Sequence, residues 1–574
     1  MKKDWKDCHS RFKVFLMFFD ILPRVGLKPK DYILKFILPA SVISLLLLIL
    51  GITYFSGYTR LVVLFLPLLL MGSAIGYPYI ELDSQRQKIN ERLHIFITKF
   101  GVLSITDLDR KELMHLLATE KEELGQLATE SHKIFVLIKR WNQSLAESCR
   151  FLANRSPSSQ FGDFLDRMAY SIDSGQELKE FLHGEQDIVM EDYGEFYKRA
   201  IYTLDTFKEM YVSAVTSVSF FVTFAIIAPF LLPYDFVTMV TVALLGFVLI
   251  EVLLVYAIKS RLPYDRLWHT GEKPTKIDLK LKKWLIISVI GTVLFTLFLL
   301  WGKFIGEIPQ IMKIPYQIIF ALGMSPLAIG GYFAQREENL VIRKEFNFPD
   351  FLRSLGDSVS AKGGGMTDSL EYLSSNDFGP LTKDLEGLYK RVSIRVNSQK
   401  AWRYFGYDTC SYMIQLFSEM FERCTFLGGN AGVAAHMIGK NFRKIINLRK
   451  AKYQSVSQFS GIMYGLAGGM ALTLYASAGV ANMVNGLYTS LDIPDTMISI
   501  VNIITPEDFS LIAYLIYGVL VIYSIVSGYL IKLMDGGHYQ VSLMHFVIML
   551  WVASIVGYIA EVMTGSLLGT SLPI

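Results

Sequence analysis

Cysteine is scarce in this chain, with only Cys8, Cys149, Cys410 and Cys424 in 574 residues and no CxxC spacing, so no thiolate metal site is indicated. The phosphate-cradling run GxxxxGK[ST] is missing as well. The Gly-Lys pairs are Gly302-Lys303-Phe304 and Gly439-Lys440-Asn441, and neither fits, which excludes the usual nucleotide loop. Gly363-Gly364-Gly365 has no lysine in register and leads into Met366-Thr367-Asp368. There Thr367 is expected to cap a helix, with the glycines allowing the turn before it. HExxH, GxSxG and paired-aspartate clusters are absent too. The expectation is a protein with no catalytic residue, no cofactor and no metal.

Charge is missing from long stretches. The chain is 52% hydrophobic with a mean hydropathy of +0.37, too apolar for a soluble protein of this size. A hydrocarbon core takes about 20 helical residues to cross. Nine segments qualify: 36–55, 61–80, 211–232, 236–258, 284–302, 314–334, 457–484, 508–531 and 542–564. They hold no Lys or Arg, and no Asp beyond the terminal Asp508. Of 56 Lys and Arg, only Arg60, Lys303 and Lys313 escape residues 1–35, 81–210, 259–283, 335–455 and Lys532. That alternation is the positive-inside pattern. It places the N-terminus in the cytoplasm and, with nine crossings, the uncharged C-terminus outside. All four cysteines then face the cytoplasm, where thiols stay reduced. A net charge of +4 calls for no nucleic-acid partner. Residues 1–35 lack a cleavage site, and Phe12–Leu22 suits either an interfacial helix or a continuation toward the first span.

The expected fold is therefore an all-α polytopic membrane protein, with about nine transmembrane helices and two cytoplasmic helical bundles. The order is an N-terminal segment 1–35, two spans in 36–80, a bundle 81–210, four spans in 211–334 around the basic inner loop 259–283, a bundle 335–455, and three spans in 456–574. Helical faces recur in both bundles, as Phe161, Leu165, Met168 and Ile172 in the first and Leu381, Leu385, Leu388 and Val392 in the second. The bundles also align with each other: Phe96 with Phe351, Leu117 with Leu373, Gly125-Gln-Leu127 with Gly379-Pro-Leu381, Phe164-Leu165-x-x-Met168 with Leu416-Phe417-x-x-Met420, and Ser174-Gly175 with Leu427-Gly428. Their shared order points to duplication. The copies differ in charge, with 17 basic and 23 acidic residues in 81–210 against 18 and 13 in 335–455. They are expected to meet different partner surfaces, or each other.

Within the spans the ionisable residues are Glu251 and Glu561, with His545 near an inner end. That is little for a pump or carrier, whose charged path residues are costly and so conspicuous. The seventh span carries Gly461, Gly465, Gly469, Thr473 and Ser477 at four-residue steps. Such a stripe lets a second helix approach closely, whether from the same chain or from another. Pro67, Pro229 and Pro326 suggest kinks. Lys440, Arg443, Lys444, Arg449, Lys450 and Lys452 precede that span, and so close to the bilayer they suit anionic lipid and topology. Arg391, Arg395, Lys400 and Arg403 lie far from any span. A solvated face, or a face meeting an acidic protein, accounts for them.

Each bundle carries a glycine followed by Leu-x-x-x-Leu, in Phe378-Gly379-Pro380-Leu381-Thr382-Lys383-Asp384-Leu385 and in Ser174-Gly175-Gln176-Glu177-Leu178-Lys179-Glu180-Phe181-Leu182. With the duplicated bundles, each preceding a span, this resembles the type II secretion F / type IV pilus inner-membrane platform family. Bacterial members usually have about three spans. The expanded layout, and the run Gly379 to Arg391, are similar to the archaeal branch, above all its archaellum assembly platforms, and adhesive-pilus platforms share the layout. The resemblance implies a non-catalytic homodimeric platform. A cytoplasmic secretion-type hexameric ATPase would dock on the bundles, with Arg391, Arg395, Lys400 and Arg403 as docking residues, and prepilin-like subunits would enter through the Gly461 face. A secondary transporter is the rival class, but its repeats would be transmembrane with a polar midplane site.

Overall fold

The structure is a computed structural model describing residues 29–54, 58–228, 236–259, 265–271, 274–304, 308–362, 365–490 and 506–568. Cys8, Pro229 and the Phe12–Leu22 stretch lie outside these residues. Every regular element among them is a helix, and one isolated antiparallel bridge joins Trp268 to Ser411. The chain divides into two compact units, one of residues 1–193 and 423–437, the other of 194–422 and 438–574.

The first unit holds α1 (Leu38–Tyr54), α2 (Tyr58–Leu103), α3 (Arg110–Thr119), α4 (Gln126–Trp141), α5 (Leu145–Ala153), α6 (Ser159–Asp173) and the start of α7 (Leu178–Ile227). Its core gathers the residues that the helical spacing selects. Phe96 meets Phe161 and Phe164 edge-on, at 5.8 and 6.5 Å between ring centroids, and Leu117, Leu127, Leu165 and Met168 are buried around them. Ser144 starts α5 with a capping box, accepting from Glu147 N while its own N–H donates to Glu147 Oε2, both at 3.1 Å.

The second unit continues α7 and adds α8 (Phe236–Lys259), α9 (Lys276–Phe304), α10 (Tyr316–Met324), α11 (Leu327–Lys362), α12 (Met366–Ser374), α13 (Thr382–Ser393), α14 (Ser398–Thr409), most of α15 (Tyr412–Phe426) and of α16 (Ala431–Ser490), α17 (Pro506–Asp535) and α18 (Ser542–Leu568). Here Phe351 packs with Phe378 and Phe405, and Phe442 with Phe348 and Phe417. One helix, α11, runs unbroken from apolar Leu327 to charged Lys362. Thr367 is not a helix cap. Gly365 holds the N-cap position of α12 and no side chain accepts there, because the glycine's extended backbone starts the helix one residue ahead of Thr367.

The turns of segments 81–210 and 335–455 match where the sequences align. Gly125 and Gly379 have φ of +57° and +60°, and Gly175 and Gly428 have +82° and +84°. All four are left-handed conformations that glycine adopts without steric cost. Gly175 and Gly428 end α6 and α15, where their amides return to Ile172 O and Thr425 O at 3.1 Å.

Seven helices among the described residues are long and apolar enough to cross a membrane, or eight when α10 and α11, bent by 43° on either side of Pro326, count as one span. A polytopic membrane protein follows. Of the nine expected segments, 61–80 is not among these. It forms the first half of α2, which contains Pro67 and Pro78, and most side chains of 61–69 lie outside the described set.

Glycines pack the spans. A Cβ at Gly331 would sit 2.6 Å from Met544 N, one at Gly557 2.8 Å from the Tyr475 ring, and one at Gly528 3.1 Å from Ser542 O. Gly331→Ala must therefore push α11 and α18 apart. It is expected to cost about 1–3 kcal/mol, read as a lower thermal midpoint of the solubilised protein.

Candidate functional site

The basic residues expected to dock a partner lie at the end of α13 and on α14. Arg391 bonds Asp408 and stands with Cζ 5.7 Å from the Tyr404 ring centroid. Arg403 Nε lies 3.7 Å from Glu419 Oε1. Arg395, at φ +53°, and Lys400 project into solvent. Two of the four charges are thus steadied within the chain, and two are presented outward.

Among the described residues, the three glycines of the small-residue stripe on α16 are open. A Cβ on Gly461, Gly465 or Gly469 meets nothing within 4 Å, whereas Ser477 is buried and Gly468, off the stripe, would bring its Cβ to 3.3 Å from Val552. Among the described residues, the packing of α16 therefore uses Gly468 and Ser477 rather than the three stripe glycines.

A buried ion network was not legible in the sequence. The short segment 265–271 places Asp265 between Arg449 Nε at 2.8 Å and Lys452 Nζ at 2.5 Å, with Tyr197 Oη donating at 2.8 Å. Arg449 Nη1 also meets Glu345 Oε2 at 3.1 Å, and Ser411 Oγ donates to Glu345 Oε1 at 2.6 Å. Burial alone would raise the Asp265 carboxyl, but the Arg449 and Lys452 charges hold it well below the ordinary carboxylate range. Leu267 and Cys410 are buried together, with backbone bonds from His269 N to Cys410 O and from Tyr412 N to Leu267 O, both 3.0 Å. Trp268 Nε1 and His269 Nε2 reach Asp278 at 2.8 and 2.9 Å. Arg449 and Lys452 thus turn inward instead of serving lipid. Lys532, another outlying charge, pairs with buried Glu338 at 2.5 Å.

Glu251 is 1% exposed; its Oε1 accepts from Tyr211 Oη at 3.2 Å and Tyr211 reaches Ser527 at 3.0 Å. Glu561 accepts from Gln317 Nε2 at 2.8 Å, and His545 Nδ1 meets Tyr464 Oη at 2.5 Å. These contacts join helices. Glu251→Gln, neutral and of the same shape, is expected to leave the thermal midpoint of the solubilised protein within about 0.5 kcal/mol of wild type. A large fall would show that the Tyr211 contact depends on the carboxylate.

Among the described residues, no group of three or more His, Cys, Asp or Glu is arranged to hold a metal. Cys149, Cys410 and Cys424 are free and buried, and burial pushes the Cys410 and Cys424 thiols up to about 12, which leaves them unreactive.

The type II secretion system protein F family matches residues 96–226. A flagella accessory protein J of Methanococcus voltae is 72% identical over 97% of this chain and 100% of that protein. The protein of the same description from Methanocaldococcus jannaschii is 60% identical over 97% of this chain and 100% of its own length. An uncharacterized protein of the latter organism is 22% identical over 56% of each chain. No solved structure matches.

Proposed function

The chain belongs to the family of the flagella accessory J proteins, and from that premise we infer that it is a multi-pass membrane platform on which an archaellum, the archaeal motility filament, is assembled. The near-full-length likeness to two proteins named for the flagellum carries this reading, and favours it over an adhesive-pilus platform.

In this reading the chain does no chemistry itself. A cytoplasmic secretion-type hexameric ATPase docks on the bundles and moves them as it cycles, and the exposed Arg395 and Lys400 support a charged contact there. Prepilin-like subunits bring an apolar helix to the open Gly461, Gly465 and Gly469 face. The N-terminus lies in the cytoplasm, the C-terminus lies outside, and the platform works as a homodimer. Duplicated bundles at 81–210 and 335–455 fit a machine that pushes at two equivalent places.

The test is co-purification of the detergent-solubilised chain with the secretion-type ATPase of the same cell. Saturable binding that weakens as salt rises is expected, since solvent-exposed charges are screened beyond about 10 Å at 0.1 M. No binding at low salt contradicts the coupling.

A further inference from the structure

The two bundles differ in net charge, yet one corner of each has kept the same surface chemistry. In the first, α4 ends at Trp141 and is followed by Asn142 at φ +52°. In the second, Ile394 follows α13 and precedes Arg395 at φ +53°. Two residues after each left-handed position comes a helix N-cap, Ser144 or Asn397. Seven residues after each cap stands a partly exposed aromatic, Phe151 or Tyr404. A guanidinium lies over each ring, Arg155 at 3.8 Å from the Phe151 centroid and Arg391 at 5.7 Å from that of Tyr404. The residue before each aromatic is an arginine steadied by a carboxylate, Arg150 by Asp173 and Arg403 by Glu419.

The residues at the tip are costly to leave in water. Trp141 is 70% exposed and Ile394 74%. Exposed Arg140 adjoins the first and exposed Arg395 the second. A large apolar group beside an exposed arginine, followed in sequence by an aromatic ring with a guanidinium over it, has the composition of an interface anchor.

We propose that Trp141 and Ile394 are equivalent anchors of one duplicated docking patch, each received by an apolar pocket rimmed with carboxylates on a protein partner. Because the two patches share their chemistry, the partner offers the same pocket more than once, as an oligomer of identical subunits does. This rests on the reading that an oligomeric cytoplasmic ATPase docks on the chain. The rest of each bundle's surface diverged in charge and the corner did not, as a shared ligand would require.

The test uses the full-length chain in detergent with the purified hexameric ATPase as probe. Three variants change only exposed residues: Trp141→Ala with Arg140→Glu, Ile394→Ala with Arg395→Glu, and all four together. Each pair should weaken binding by about tenfold or more, and the fourfold variant should lose saturable binding while eluting as the parent does in size exclusion. If either pair binds like wild type, the patches are not equivalent anchors and the proposal falls, although the docking reading stands. If the wild-type chain does not bind at all, both fall. If the variants instead lose flotation with anionic vesicles and keep the ATPase, the patches face lipid and the proposal is overturned.

Discussion

Arg449→Ala is expected to destabilise the protein more than any other single truncation in the second unit. The guanidinium lies between two carboxylates, largely covered Asp265 and buried Glu345, and also donates to Arg266 O at 2.8 Å. Removing it leaves Glu345 with a hydroxyl partner and Asp265 dependent on Lys452 and Tyr197. Breaking a buried pair from one side costs roughly 3–5 kcal/mol, because the remaining charge stays buried without compensation. The thermal midpoint of the solubilised variant should fall sharply, and trypsin should cut near the 265–271 segment. The Asp265 part of the pH dependence has a definite sign. Asp265 has a folded carboxyl held below its unfolded range, so its contribution is complete above that range and is lost only as pH falls beneath it, below about pH 4. The wild-type midpoint should show that acid limb, and Arg449→Ala should have lost most of it. A variant within about 0.5 kcal/mol of wild type would mean that the network does not hold the segment.

Gly465→Leu is expected to have the opposite profile, with an unchanged midpoint and almost no filaments. Among the described residues, no other part of the chain stands within 4 Å of a Cβ at Gly461, Gly465 or Gly469, so a side chain there costs this chain little. A foreign helix seated against the stripe loses its close backbone approach, the main source of helix affinity in lipid. Gly465→Ala should be milder. Wild-type filament numbers from Gly465→Leu would mean that the stripe faces lipid alone, and a lowered midpoint would mean that it packs within the protein after all.

Much of the architecture could be read from local pattern. Apolar runs located the spans other than 61–80 because a bilayer admits few charges, and aligning Phe96 with Phe351 and Gly125 with Gly379 found positions that are buried in both segments or left-handed in both. Pro326 marked a true bend. The Asp265–Arg449 and Glu338–Lys532 contacts were hidden because each joins residues nearly two hundred positions apart, and periodicity reports only which residues share a face. The basic run before the seventh span looked uniform, yet its helix turns Arg449 and Lys452 inward. Glycine spacing likewise showed a surface that a helix could use without showing which helix uses it: Gly331, Gly528 and Gly557 stand in no regular stripe, and they make the close contacts.

The most direct test of the platform reading is to delete the gene in its own cell, restore it from a plasmid, and count filament types by electron microscopy. Archaella should vanish with the gene and return with it, while any adhesive pili persist. Archaella in the deletion strain, or loss of adhesive pili alone, would contradict the assignment.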